Sequence, residues 1–238
     1  MFSEGFTVER LMLYGVRIAV FLLIIPIHES AHGLMAKWLG DDTADKEGRI
    51  TLNPIAHLDL SGFLLMLFIG FGWAKPVPVN ISNIKHKRAG YALISAAGPL
   101  SNLIAAFVGA AIAMVIFSSE VGQQAIMANF MDDPDKEYNV INSVLTLLVF
   151  FVQVNVGLAV FNLIPLPPLD GFNLVRAFLP LKADRWIFAH QRTISGAFII
   201  LILVGTTFPE VSAPLMYVIG RTEEFIWWSV SWIGQLVA

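Results

Sequence analysis

Long apolar runs constrain this chain more than any other feature. Four stand out, at residues 10–39, 89–118, 143–164 and 193–208, the last short for a full crossing unless it begins near Trp186. The hydrocarbon core of a bilayer is roughly 30 Å thick, and a helix of about 20 apolar residues crosses it. A water-soluble domain would have to cover such runs with a polar coat. Of the 238 residues only 14% are charged and 56% are hydrophobic, so the coat cannot be made. Backbone facing lipid must satisfy its own hydrogen bonds, which leaves helices and closed barrels. The runs lack the alternation of barrel strands. The expected fold class is therefore an all-α polytopic membrane protein with four to six transmembrane helices. The tail, 214–238, is apolar and Trp-rich but interrupted by Arg221, Glu223 and Glu224, and reads as a fifth span or an interfacial helix.

The connection between the first two spans reads differently. Gly, Pro and short β-prone runs across 48–80 predict strands and turns, with the apolar 63–71 dipping toward the membrane as a re-entrant or hairpin element. Such backbone is tolerated only against protein or water. The chain has no cysteine, so any metal must be held by His, Asp or Glu. A net charge of −3 offers nucleic acid no basic surface. The N-terminus lacks the pattern of a cleaved signal peptide, so the first helix is expected in the mature protein. Between 75 and 88 lie Lys75, Lys85, Lys87 and Arg88 and no acid, whereas 119–142 carries Glu120, Asp132, Asp133, Asp135 and Glu137 against Lys136. Arg176, Lys182, Arg185 and Arg192 follow the third span. The positive-inside rule then places the basic stretches in the cytoplasm and the acidic loop and N-terminus outside.

Within the first run lies HESAH, residues 28–32. Residues four apart share one helix face, so His28 and His32 can aim two ring nitrogens at one point. Zinc accepts His nitrogen and prefers four tetrahedral ligands. Glu29 points elsewhere and is free to handle a proton, the division of labour of H-E-x-x-H. Two incidental histidines are the blander reading, but ionisable groups in an apolar run are costly and usually mark a site. A catalytic zinc needs a third protein ligand and one position left for water. The stretch FNLIPLPPLDGFN, 161–173, offers Asp170 behind Pro165, Pro167 and Pro168. Those prolines cannot continue a helix and should unwind the end of the third span. Alone, the segment reads equally well as a turn leaving the membrane with Asp170 in water. Unwound backbone at membrane depth needs a polar neighbour, which favours placing it against the first helix.

These residues carry a resemblance. The chain resembles the site-2 protease family, intramembrane zinc metalloproteases that cut substrates within or near the bilayer. The matching stretches are HESAH at 28–32, GRITLNPIAHLDLSG at 48–62, GWAKPVPVN at 72–80, AAGPLSN at 96–102 and NLIPLPPLDG at 162–171, in the family's order. The resemblance implies one zinc ion per chain held by His28, His32 and Asp170, with Glu29 as catalytic acid/base. It implies that Asn162 helps to hold substrate or the oxyanion, and that the substrate is a membrane-spanning protein. Residues 1–238 would form one membrane-embedded metalloprotease domain, with core 10–179 and accessory helices 180–238. The loops are too short for a PDZ or CBS domain, so selection would fall to the membrane core, the loops or a regulatory membrane partner. Ser30–Ala31 is smaller and more polar than the pairs usual inside the motif, and Phe172 follows the D-G where a second Gly is frequent.

A helical substrate must unwind before cleavage, and strand-like 49–60 is expected to pair with it by strand addition. Asn155, two turns before Asn162, either extends a polar stripe or packs between helices. His57 reads as structural or substrate-side, His86 as part of a solvated cluster, and His190 as interfacial. Arg17 should face the bundle or snorkel. Pro26 reads as a kink before the site or a tolerated membrane proline, and Gly98 and Pro99 as aids to helix packing. The alternative function is a membrane metal-binding or transport protein with the same His, Glu and Asp side chains along an ion path.

Overall fold

A computed structural model describes residues 8–69, 72–130 and 140–237, without the side chains of 8–13, 16, 17, 20, 66–69 and 128–130. The expectations for Arg17 and for acidic residues 132–137 fall outside that description. Among the described residues the fold is all helical. In chain order come α1 (Val8–Trp38), α2 (Thr43–Lys46), α3 (Pro54–His57), α4 (Leu60–Ile69), a 3-10 turn at Ile81–Asn83, α5 (Lys87–Ser118) and α6 (Glu120–Phe130). Then follow α7 (Val140–Asn162), α8 (Asp170–Arg176), α9 (Leu181–Ala189), α10 (Gln191–Thr207) and α11 (Pro209–Val237).

Helix α5 is the axis of the molecule and packs against α1, α7, α8 and α11. Its inward positions are mostly small: Gly90, Ala92, Ala97, Gly98, Ala106, Gly109, Ala110 and Ala113 are buried. Between helices in lipid, small residues let backbones approach and gain dispersion contact, since apolar burial alone offers no advantage over the tails. Ala106 and Ala110 pack with Val152 and Val156 of α7 and with Ile226 and Val230 of α11. The C-terminal helix therefore joins the same core as α5 and α7.

The expected count of four to six spans is not supported among the described residues. Among them two helices, α5 and α7, are long and apolar enough to cross a membrane, or up to three spans if α9 and α10 are taken as one. Those two bend by 67° at their junction. Of the remaining candidates, α11 carries Arg221, Glu223 and Glu224 in its middle, and α4 has ten residues, about 15 Å of rise and half a crossing.

No strand forms among the described residues, so the expected β element in 48–80 is also corrected. Residues 54–57 and 60–69 are helical, and 72–80 has no regular secondary structure and no ladder partner among the described residues. Its backbone groups go to side chains and loops instead. Lys75 N–H donates to His57 O at 2.9 Å, and the Arg49 guanidinium donates to Lys75 O and Pro76 O at 2.8 and 3.2 Å. Pro76 and Pro78 have no N–H to offer. Around 49–51 the edge is taken too: Ser30 Oγ donates to Thr51 O at 2.7 Å and His57 Nε2–H to the same oxygen at 2.9 Å. Strand addition to 49–60 therefore loses its basis.

After α1, a turn is tied down by Asp41, which is fully buried. It accepts from Asn80 N–H at 2.6 Å, Asn83 Nδ2 at 2.8 Å and both the N–H and hydroxyl of Thr43. Burial pushes its carboxyl up, but these bonds outweigh that and hold it below the ordinary carboxylate value. On the same side, Arg176 Nε donates to Asp184 Oδ1 at 2.6 Å. Arg88 caps the chain after α8 through Arg176 O and Leu179 O, both at 2.9 Å.

Candidate metal centre

His28 and His32 stand one turn apart on α1 and face α5. His28 Nδ1–H donates to Asn102 Oδ1 at 2.9 Å, and His32 Nδ1–H donates to Ile94 O at 2.7 Å. The lower-numbered histidine meets the higher-numbered partner, so α1 and α5 run antiparallel here. With each proton held on Nδ1, each Nε2 keeps a lone pair directed inward, the arrangement of metal-bound imidazoles. The two Nε2 atoms lie 3.1 Å apart.

Asp170 completes the triangle. Its Oδ2 is 3.2 Å from His28 Nε2 and 3.4 Å from His32 Nε2. Three electron-rich atoms at such separations repel unless a proton or a cation lies among them. Tetrahedral zinc with bonds of roughly 2.0–2.1 Å places its ligand atoms about 3.3 Å apart. The triangle of 3.1, 3.2 and 3.4 Å fits one face of that tetrahedron, and these three residues are the grouping among the described ones that could hold an ion.

Two chain features make the triangle possible. First, α7 ends at Asn162 and the proline-bearing 163–169 turns back before α8 begins at Asp170. The return is tight: a Cβ on Gly171 would lie 2.2 Å from Leu163 O and 2.6 Å from Ile164 O. Second, α5 presents no side chain at Gly98. A Cβ there would lie 2.4 Å from His32 Nε2 and 2.7 Å from His28 Cε1. The sequence suggested helix packing for Gly98; the structure gives it the space that both imidazoles occupy.

Glu29 follows His28 but is not part of the triangle. Its Oε2 accepts Val77 N–H at 3.1 Å. Arg49, which grips the two preceding carbonyls, fixes the strap that carries this N–H. Ser30, read from sequence only as an unusual residue inside the motif, holds Thr51 by its hydroxyl.

Other expected residues have different settings. Asn162 spends its amide on its own helix, donating to Leu158 O at 3.0 Å, and Asn155 is fully buried and donates to Phe151 O at 2.8 Å. His57 is fully buried against Thr51 O, consistent with a structural role. His86 is exposed just before α5, and His190 stacks on Trp186 at 4.5 Å. Pro26 is buried inside α1. Sequence reading missed Asn102, Ile94 O and Val77 N–H. The H-E-x-x-H spacing implies that each Nδ1 needs an acceptor, but two of these three groups are backbone and carry no residue-type signal.

Comparison with known proteins identifies the family. Residues 16–205 match the model of peptidase family M50. A Bacillus subtilis (strain 168) protein named "Putative zinc metalloprotease YwhC" is 40% identical over 177 residues, covering 72% of this chain and 75% of the relative. A Mycobacterium tuberculosis (strain H37Rv) protein named "Putative zinc metalloprotease Rip2" is 28% identical over 211 residues, covering 85% and 73%. No solved structure matches. The chain belongs to peptidase family M50, the site-2 protease family of zinc-dependent membrane metalloproteases.

Proposed function

We propose that this protein is an intramembrane zinc metalloprotease that hydrolyses peptide bonds of membrane-spanning proteins. The observation that carries the reading is the convergence of His28 Nε2, His32 Nε2 and Asp170 Oδ2, with Glu29 beside them and outside the ligand set. His28, His32 and Asp170 would hold one zinc per chain. When bound, zinc supplies Lewis acidity, making water more acidic and a carbonyl more electrophilic. Glu29 takes the proton of the attacking water and returns it to the leaving amine, help worth typically ~10²–10⁴ in rate. Val77 N–H fixes the orientation of that carboxylate. Asn162 assists the developing oxyanion once its amide leaves Leu158 O. The basic stretches support a site toward the cytoplasm and an N-terminus outside.

The test compares purified parent with Glu29→Gln for bound zinc and for cleavage of membrane-spanning substrates. Zinc retained with cleavage lost is expected; equal cleavage would remove Glu29 from its role. The transport alternative needs Glu29 on the ion path, whereas its carboxylate is engaged by Val77 N–H. Zinc flux into proteoliposomes without proteolysis would establish it.

A further inference from the structure

We propose that Asn102 is a positioning residue that selects the metal-binding tautomer of His28. The inference rests on the metal reading above and extends it. On α5, positions 94, 98 and 102 recur every four residues and so share a face. Against α1 they act as a template: the Ile94 carbonyl meets His32, Gly98 leaves room for both rings, and Asn102 meets His28.

The two histidines are not held equally. A backbone carbonyl only accepts, so Ile94 O forces the proton of His32 onto Nδ1. A side-chain amide has two faces. With Oδ1 toward His28, the proton sits on Nδ1 and Nε2 offers its lone pair inward. With the amide turned over, Nδ2–H would donate to Nδ1, the proton would move to Nε2, and His28 would cease to be a ligand. Asn102 thus decides whether the first histidine of the motif is available.

Its surroundings make the choice consequential. Asn102 is fully buried, so water does not compete for its amide. Its Nδ2 has no hydrogen-bond partner among the described residues. The amide is spent on His28 through the oxygen alone, at the expense of a buried donor. A residue serving only to pack α5 against α1 would have no reason to carry an unpaired buried N–H. Leu has nearly the same shape without that cost. Partners of this kind behind a metal-bound histidine typically change metal affinity by roughly 10–100-fold when removed.

The experiment uses the full chain in detergent and two variants of nearly equal shape. Asn102→Leu removes the acceptor, and Asn102→Asp presents acceptor oxygens on both faces. Zinc affinity is read by competition with a chromophoric chelator, and the His28 proton position by nitrogen NMR of labelled imidazoles. N102L is expected to bind zinc roughly 10–100-fold more weakly and to lose the preference for Nδ1–H on His28. N102D is expected to keep both, at parental affinity or tighter. Should N102L fail to fold, N102D alone decides: retained zinc supports the selector and lost zinc overturns it. N102L binding zinc within twofold of the parent, with an unchanged tautomer, also overturns it. A parent that takes up no zinc overturns this proposal together with the metal reading. Cleavage is not the readout, so a zinc-binding parent that cleaves nothing overturns the protease reading alone.

Discussion

Gly98 lies so close to His32 that a Cβ on the glycine would stand 2.4 Å from Nε2, the nitrogen that faces His28 and Asp170. Helix α5 approaches α1 at this point only because one residue has no side chain. In a helix interior Ala is otherwise favoured over Gly by about 1 kcal/mol. Gly98→Ala should therefore leave the fold at least as stable by propensity while displacing the rings. Bound zinc after purification is expected to fall at least ~10-fold, as for loss of a supporting group around a ligand. Metal content beside helix content by circular dichroism checks it, and full zinc occupancy would show that the rings can yield.

Gly171 sets the position of Asp170 in the same manner. A methyl group there meets the carbonyls of Leu163 and Ile164, and relief requires the start of α8 to move away. Gly171→Ala should reproduce the zinc loss of Asp170→Asn although the carboxylate is still present. The check is zinc affinity of the two variants side by side. Parental affinity in G171A would mean that the turn absorbs the shift without moving Asp170.

Val77 offers a test of Glu29 that spares the metal. Val77→Pro deletes the N–H, and the residue already precedes Pro78, so extended backbone compatible with proline is expected. A hydrogen bond to a charged group is worth about 1.5–3 kcal/mol. Cleavage should fall roughly 10-fold or more with zinc content unchanged, while Val77→Ala keeps the N–H and the activity. Equal activity of V77P and V77A would free Glu29 from this contact.

Asp41 predicts an acid limb in stability. Its native carboxyl is held below the ordinary value of about 3.9, so it binds fewer protons folded than unfolded near that pH. The stabilisation is complete above the unfolded value and is lost as pH falls through the lower native one. Thermal melts in detergent across that window should show a decline that Asp41→Asn flattens. The variant should also melt lower at neutral pH, because an amide cannot accept from all four donors.

The sequence by itself determined the class and offered the candidate ligands. Apolar runs demand helices in lipid, and His28 and His32 lie one turn apart, so helix geometry alone puts them on one face and leaves Glu29 off it. Proline chemistry marked the end of α7 and offered Asp170 as a third candidate. Local rules failed where partners come from afar. The β element at 48–80 did not form because Arg49, His57 and Glu29 take the backbone groups that a second strand would have used. Among the described residues length and hydropathy hold together within one unbroken helix in α5 and α7, whereas α9 and α10 part at a sharp bend. Only the tertiary structure placed α5 behind the histidines. Which carbonyl, which amide and which missing side chain stand there depends on the antiparallel register of two helices some seventy residues apart, and no local pattern in either one encodes it.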